Sequence, residues 1–448
     1  MTTRWMNDTH RTGRDHRTLV AILAAAILLT GIVMPAAAVP YLESSYGGQS
    51  PWISAEVNSL ASTGVGTYRG GFSTFLNPAG LAKAQGWRLD AGLGLVSHNE
   101  ERYAPLFDSF DNYVVDKSIA SNQTALLESG FALAGRLDLG DLPLGVGLSL
   151  ADRMPFGYEF TEEVRDPDVF SSPRDRILEE RTYKVEGTVR SLSLGVAGEA
   201  DRLSVGAAVH YAFGTRSEHW LLRDNMTEDG DRSYDTRDEW DLDGVNFTLG
   251  LQVHPTERLT LGVAYESPLS LDGAINSTHY VAEVDTVAES SSDHGMEIPA
   301  RWRFGAALFP RNDPRTVFTV DVVLTDWEDL TDDRPGLADN RNTDPMELQN
   351  VIDVRVGLQH TFNSGQDMNF GFRRYDSYND QNGGNSVFSA GTGWPVGPGK
   401  LALSLEINKV QNAGIDHLFD YPEGFVSPPV ARIDDTRMRI GLGWTQRF

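Results

Sequence analysis

The eleven residues that end the chain, Met438 to Phe448, alternate between bulky apolar side chains and small or polar ones. Side chains leave opposite faces of a strand with period two. Met438, Ile440, Leu442, Trp444 and Phe448 therefore share one face, and Arg439, Gly441, Gly443, Thr445 and Arg447 the other. A soluble sheet can contain one such strand. Here a glycine-rich polar face opposite a continuous apolar one recurs from residue 88 to the end. That is the pattern of a barrel wall with hydrocarbon on its outside only.

Alternation bounded by turn residues gives fourteen candidate strands, starting near residues 88, 125, 143, 183, 202, 241, 258, 299, 315, 350, 367, 386, 399 and 436. Their connections strictly alternate in length. Short links fall at Asp138 to Leu142, Glu199 to Arg202, Pro255 to Glu257, Pro310 to Pro314, Asn363 to Gln366 and Pro395 to Pro398. Long polar segments lie between them, near 97–124, 154–182, 216–240, 271–298, 328–349, 376–385 and 410–435. Tight turns on one side and long loops on the other predict an all-β, fourteen-stranded antiparallel transmembrane barrel, not a sandwich or a propeller. Aromatics near strand ends (Tyr211, Phe213, Tyr265, Trp302, Phe309, Trp327, Phe362, Trp394 and Trp444) are expected at the two headgroup levels.

The N-terminus has a basic stretch with Arg11, Arg14 and Arg17, an apolar run from Leu19 to Thr30 extended to Met34, and then Pro35 followed by three alanines. This reads as a secretory signal peptide cleaved after Ala38, since it is short and ends in an A-x-A site. The expected organisation is a signal peptide over 1–38, a hatch over 39–87 and the barrel over 88–448, exported to a bacterial outer membrane. A formal net charge of −25 argues against nucleic-acid binding, and the chain has no cysteine, which excludes thiol chemistry.

Residues 39–87 lack period-two patterning but contain S-T-G-V-G-T-Y-R-G-G-F-S-T-F-L-N-P-A-G-L-A, Ser62 to Ala82. Asparagine caps a turn, proline fixes φ and glycine allows positive φ, so Asn77, Pro78, Ala79, Gly80 and Leu81 read as a compact turn. On this run the chain resembles the long-chain fatty acid transporter family of outer-membrane proteins, which includes uptake channels for aromatic hydrocarbons. Pro155-Phe156-Gly157, Glu297-Ile298-Pro299 before Arg303-Phe304-Gly305, and Asp321 with Asp326-Trp327 are similar to that family's patterns. The resemblance implies an N-terminal hatch plugging the barrel, in which Phe72, Phe75 and Leu76 join the N-P-A-G-L turn. It also implies a sideways exit for ligand through the third strand. Proline cannot donate to a ladder, so Pro155, with Phe156 and Gly157, either interrupts pairing and opens a gap toward lipid or merely begins a loop.

Inward parity collects a second set of residues. Arg303, Arg355, Arg373, Arg437 and Arg439 face the lumen if their apolar neighbours face lipid, accompanied by Asp321, Asp353 and Glu406. Two roles fit them: an ion-pair network that holds the hatch, or a guanidinium that receives a carboxylate head group in its planar fork. No catalytic constellation stands out, the loop histidines His98, His219, His279, His294 and His417 being scattered. N-M-T-E-D-G at Asn225 to Gly230 lacks the ligand spacing of a calcium loop, so neither metal nor cofactor is expected.

The expected function is passive passage of a hydrophobic small molecule, a long-chain fatty acid or an aromatic hydrocarbon. Its partners would be that ligand, outer-membrane lipids and the barrel assembly machinery. The alternative is a barrel without transport, acting as a secretion partner or surface scaffold. Cleavage after Ala38 predicts that sequencing the N-terminus of protein purified from outer membranes reads Val39 first; a start at Met1 would refute the leader.

Overall fold

The computed structural model describes residues 46–47, 53–107, 110, 112–140, 142–165, 176–226, 232–282, 285–293, 295–310, 314–328, 330, 348–376, 378, 384–412 and 432–448. The signal peptide, His294 and His417 lie outside them.

The wall is a closed antiparallel barrel of fourteen strands. It is built from β1 (Arg88–Phe107), β2 (Tyr113–Leu139), β3 (Leu142–Arg165), β4 (Ile177–Ala200), β5 (Leu203–Asp224) and β6 (Tyr234–Thr256). The seventh strand is broken into β7 (Leu259–Glu266) and β8 (Leu269–Val281), and the eighth into β9 (Thr286–Asp293), β10 (Met296–Ile298) and β11 (Arg301–Leu308). The wall then continues through β12 (Thr316–Thr325), β13 (Val351–Thr361), β14 (Asp367–Asp376), β15 (Gly384–Val396), β16 (Gly399–Asn412) and β17 (Arg432–Arg447). β17 closes on β1 in continuous register from Arg88↔Arg447 to Tyr103↔Arg432. The Phe448 amide donates to the Trp87 carbonyl at 2.8 Å, which ties the two ends of the wall together.

The parity read from the sequence holds. Leu93, Leu95, Leu127, Phe131, Leu148, Leu192, Leu194, Val209, Phe247, Phe370 and Ile440 point outward and are exposed, while Asp90, Ser193, His210, Thr248 and Arg439 point inward and are buried. Several strands are longer than alternation alone gives. β2 has 27 residues and β3 and β4 have 24 each. About ten tilted residues suffice to cross the hydrocarbon. The surplus rises beyond it; in β3 and β4 its apolar residues change to the inward face, as with Phe156, Tyr158, Phe160, Tyr183 and Val185, while the outward face turns polar, so the lipid-facing pattern ends there although the ladder persists. Segments near 97–124, 154–182, 216–240 and 271–298 are therefore largely strand and not loop. Trp327 is a second correction. It is fully buried, packed on Tyr46 and Tyr378 with centroids 4.8 and 4.7 Å away, and takes no part in a girdle.

The outer half of the lumen holds an apolar core that includes Phe156, Tyr158, Tyr183, Trp240, Leu269, Ile298 and Trp327. Below it sits the hatch: α1 (Ala55–Asn58), capped by the Ser54 hydroxyl, α2 (Ser73–Leu76), and a 3-10 turn over Pro78–Lys83. With β17 meeting β1 at the turn side, a cysteine at Asn225, beyond the end of β5, should be labelled by an impermeant maleimide in intact cells. A cysteine at Asp201, in the β4–β5 turn, should be labelled only after the outer membrane is opened; the reverse would overturn the orientation.

Candidate functional site

The hatch is fixed by the N-P-A-G-L turn first. Asn77 Oδ1 accepts from the Ala79 amide at 3.1 Å and caps the 3-10 turn, while Nδ2 donates to the carbonyls of Val65 at 3.0 Å and Leu251 at 3.1 Å. One side chain thus joins the turn to itself, to the rest of the hatch and to the wall. The wall in turn must lack side chains there. A Cβ on Gly206 would lie 2.5 Å from the Pro78 carbonyl carbon, and one on Gly250 would collide with Asn77 Oδ1. Gly80, Leu81, Ala79 and Phe72 are buried inside this seat.

Ion pairs and hydrogen bonds complete the seating. Asp321 Oδ2 accepts from the Gly64 and Val65 amides at 2.7 and 3.1 Å. Arg355 donates to the Ser62 carbonyl at 2.9 Å, and Asn369 to the Ser59 hydroxyl at 2.8 Å. Arg88 bridges Glu56 of the hatch, 2.9 Å, and Asp90 of β1, 2.8 Å. Burial raises the Glu56 carboxyl, but the Arg88 guanidinium and Lys400 outweigh it and hold the pKa at about 2. A depressed carboxylate contributes fully above its ordinary range, so this tie is lost only as pH falls from there toward 2.

Above the hatch is a cavity of about 70 Å³. Its apolar side is Ile53, Phe75, Leu76, Val323 and Val351, and its polar side is Arg153, Arg301, Arg303, Arg355 and Arg373 with Asp152, Glu266 and Asp353. Five guanidinium groups against three carboxylates leave it cationic. The breaks in the wall place these residues: Ser267-Pro268 ends β7 just after Glu266, and Pro299-Ala300 precedes Arg301.

The predicted arginines divide by how fully their donors are used. Arg439 is held by Glu128, 2.8 and 2.9 Å, and by Glu406, 2.6 Å. Arg373 and Arg355 share Asp353, at 2.8 and 2.6 Å. Arg437 is half-buried, pairs in register with His98 and Asn408, and lies outside the cavity lining. Arg303 gives one nitrogen to Glu266, yet its buried Nη1 has no partner. The Arg301 side chain makes no hydrogen bond or ion pair with any described residue, and it lines the same cavity. Arg153 pairs with Glu266 and donates to Asn246 at 3.1 Å. Sequence reasoning missed Arg301 and Arg153, although R-W-R at 301–303 puts Arg301 on the parity of Arg303. Among the described residues no His, Asp and Glu cluster is placed to hold a metal.

The wall beside this cavity is incomplete. The β2–β3 ladder runs from Leu139↔Leu142 to Gly130↔Ala151 and stops, whereas β3 stays paired with β4 through Arg165. A bulge at Arg153 shifts the β3–β4 register, and Ala151 to Phe156 are all buried. Pro155 therefore lies inside β3, opposite Thr188, and above the point where pairing with β2 has ended. It does not begin a loop; the break precedes it by several residues and coincides with the bulge, a usual device for re-aiming a strand. Gly157 lies against the Leu126 side chain, which occupies the place a Cβ would take. On the outer face a groove of about 470 Å³ follows the same gap, lined by Leu93, Phe131, Leu150, Leu442 and Trp444 with Ser129, Asp152 and Arg190. The inner cavity and the outer groove share Ala151 and Asp152.

No protein-family model matches the sequence, and no curated protein matches it. Among solved structures, it is similar to a Pseudomonas aeruginosa FadL homologue, with a TM-score of 0.66 and 15% identity over 90% of this chain and 100% of that one. It is also similar to the P. putida toluene transporter TodX, TM-score 0.59 and 15% identity, covering 88% and 98% of the two chains. The Ralstonia pickettii toluene transporter TbuX gives 0.57 and 13%, again over 88% and 98%. What is common at that identity is the fold, a fourteen-stranded barrel.

The Asn77 staple predicts that Asn77→Ala loosens the hatch without disturbing the wall. Losing bonds to buried carbonyls costs about 1 to 3 kcal/mol. Limited proteolysis should then cut residues 53–84 several-fold faster while heat-modifiable migration of the barrel stays unchanged; equal protection would show that the glycine seat alone holds the hatch.

Proposed function

We propose that this barrel is an outer-membrane channel for passive uptake of hydrophobic molecules that carry a carboxylate, long-chain fatty acids being the class that fits. The carrying observation is the pair of unused guanidinium donors, Arg301 and Arg303 Nη1, in a cationic cavity with an apolar floor of Phe75, Leu76 and Ile53. A buried cationic donor without a partner is costly, and a carboxylate supplies the complementary bidentate acceptor. The apolar core in the outer lumen supports entry of an alkyl chain from that side.

The densely bonded hatch supports a lateral route over passage to the periplasm, because it fills the lumen beneath the cavity. Pro155, Phe156 and Gly157 flank that lateral route, and the ligand leaves between β2 and β3 into lipid. The neighbouring solved structures include proteins described as toluene transporters. Aromatic hydrocarbons have no charge to use Arg301, so they rank below fatty acids for this chain. A scaffold or secretion partner would have no use for a cationic pocket of this kind. Arg355, Arg373 and Arg439 belong to the hatch-holding network in this reading, and no step requires a catalytic group.

Charge-assisted hydrogen bonds contribute about 1.5 to 3 kcal/mol each, about tenfold or more in affinity. Arg301→Gln combined with Arg303→Gln should therefore weaken palmitate binding to the detergent-solubilised protein at least tenfold and leave toluene binding within twofold. Equal losses for both ligands would assign the arginines to packing, and unchanged palmitate binding would remove the site.

A further inference from the structure

Beside the cavity, the gap between β2 and β3 is closed by a carboxylate. Gly130↔Ala151 is the last pair of the β2–β3 ladder, so the Ser129 amide above it has no strand partner in β3. Asp152 takes its place: Oδ2 accepts from the Ser129 amide at 2.5 Å and from the Ser129 hydroxyl at 3.0 Å. Its other oxygen, Oδ1, accepts from Arg190 Nε at 2.9 Å. Arg190 stands on the outer face of β4 just above Leu192, Leu194 and Val196, and its side chain is 54% exposed while that of Asp152 is 4% exposed.

A backbone ladder cannot part without stranding many polar groups in lipid, but a side-chain bond parts by rotation about χ1. At the level of the cavity, closure of this seam thus depends on a movable group, Asp152. It also faces both ways, lining the inner cavity and the outer groove. A ligand anion leaving Arg301 and Arg303 meets this negative charge first and the exposed Arg190 next.

We propose that Asp152 and Arg190 form an anion-exchange gate, resting on the lateral carboxylate route above. The leaving head group displaces Asp152 from Arg190, Asp152 swings away from Ser129, and the acyl chain settles in the outer groove. That groove, at about 470 Å³, is of ligand size, whereas the inner cavity at about 70 Å³ holds only a head group. Continuity through Ala151 and Asp152 identifies the occupant of the groove as the transported carboxylate on its way out. The exchange conserves charge: one carboxylate replaces another on Arg190, and the displaced Asp152, which lines the inner cavity, turns toward the guanidinium groups of Arg301 and Arg303 that the ligand has vacated, so each ion keeps a partner. Arg190 is on this account a specificity-determining residue for release, separate from the arginines that bind inside.

The full-length mature protein in nanodiscs, loaded with palmitate or with hexadecanol, tests this by the rate of transfer to acceptor vesicles, with equilibrium occupancy measured in parallel. For Arg190→Gln the ratio of palmitate to hexadecanol transfer rates should fall at least fivefold, Arg190→Lys should restore most of it, and palmitate occupancy should stay within twofold. Asp152→Asn, which keeps an acceptor for Ser129 but removes the competing charge, should raise the ratio. An unchanged ratio in Arg190→Gln, or equal slowing of both probes, overturns the gate and leaves a structural ion pair. Loss of a co-purifying membrane lipid from Arg190→Gln in native mass spectrometry, with palmitate transfer intact, overturns it in favour of a lipid-binding groove. Failure of the inner site reads out differently, as palmitate occupancy indifferent to Arg301→Gln and Arg303→Gln.

Discussion

In a hydrocarbon surrounding, every backbone N–H and C=O of the wall must find a partner within the protein, and the rest of the structure follows from that demand. Closure of β17 on β1 removes the free edges that an open sheet would leave. At two places where the ladder fails, side chains compensate. Around the break in the seventh strand, the Ser267 hydroxyl accepts from the Phe247 amide at 3.2 Å, and Asn246 donates to the Ser267 carbonyl at 3.0 Å. At the β2–β3 gap, Asp152 serves Ser129, and Asn122 Oδ1 accepts from the Thr161 amide at 3.0 Å higher up. The interruptions are thus supported features, and they surround the cationic cavity.

The inner wall meets a second constraint, that a hatch of thirty-odd residues must pass no void. Glycines at the level of the hatch let two backbones touch. A side chain at Gly145 would run into the Leu81 carbonyl, one at Gly262 into that of Val65, and one at Gly371 into the Ala61 amide. Glycine lowers strand stability by leaving nothing to pack across the ladder. The hatch supplies the missing contacts, so wall and hatch depend on each other. A plug seated by backbone contact around its rim is poorly suited to repeated expulsion.

Charge inside the lumen is arranged by the cost of burying it. Arg439 between Glu128 and Glu406, and Asp353 between Arg355 and Arg373, are compensated groups whose removal would strand a partner. Such pairs do little for ligands because their donors are spent. The residual donors of Arg301 and Arg303, and the exposed Arg190 on the far side of the seam, are where an external anion can still be received.

Period-two alternation by itself determined the barrel, its strand number and the face each residue presents, because lipid on one side only leaves that imprint on every strand. It also put Arg303, Arg355, Arg373 and Arg439 into the lumen, while the Asn-Pro-Ala-Gly run, not alternation, put Asn77 into a capped turn. The lipid-facing alternation gave no guide where strands run through water, since β3 and β4 there turn their apolar residues inward, onto the core of the outer lumen, and their outward face is polar. Tertiary structure alone decided which arginines are used up. Glu128 and Arg439 are 311 residues apart in the chain and meet only because β17 closes against β1 beside β2. The same holds for the seam: nothing local in Ser129, Asp152 or Arg190 marks them as neighbours, and they become so only where β3 turns inward at its bulge and leaves that side of β2 unpaired.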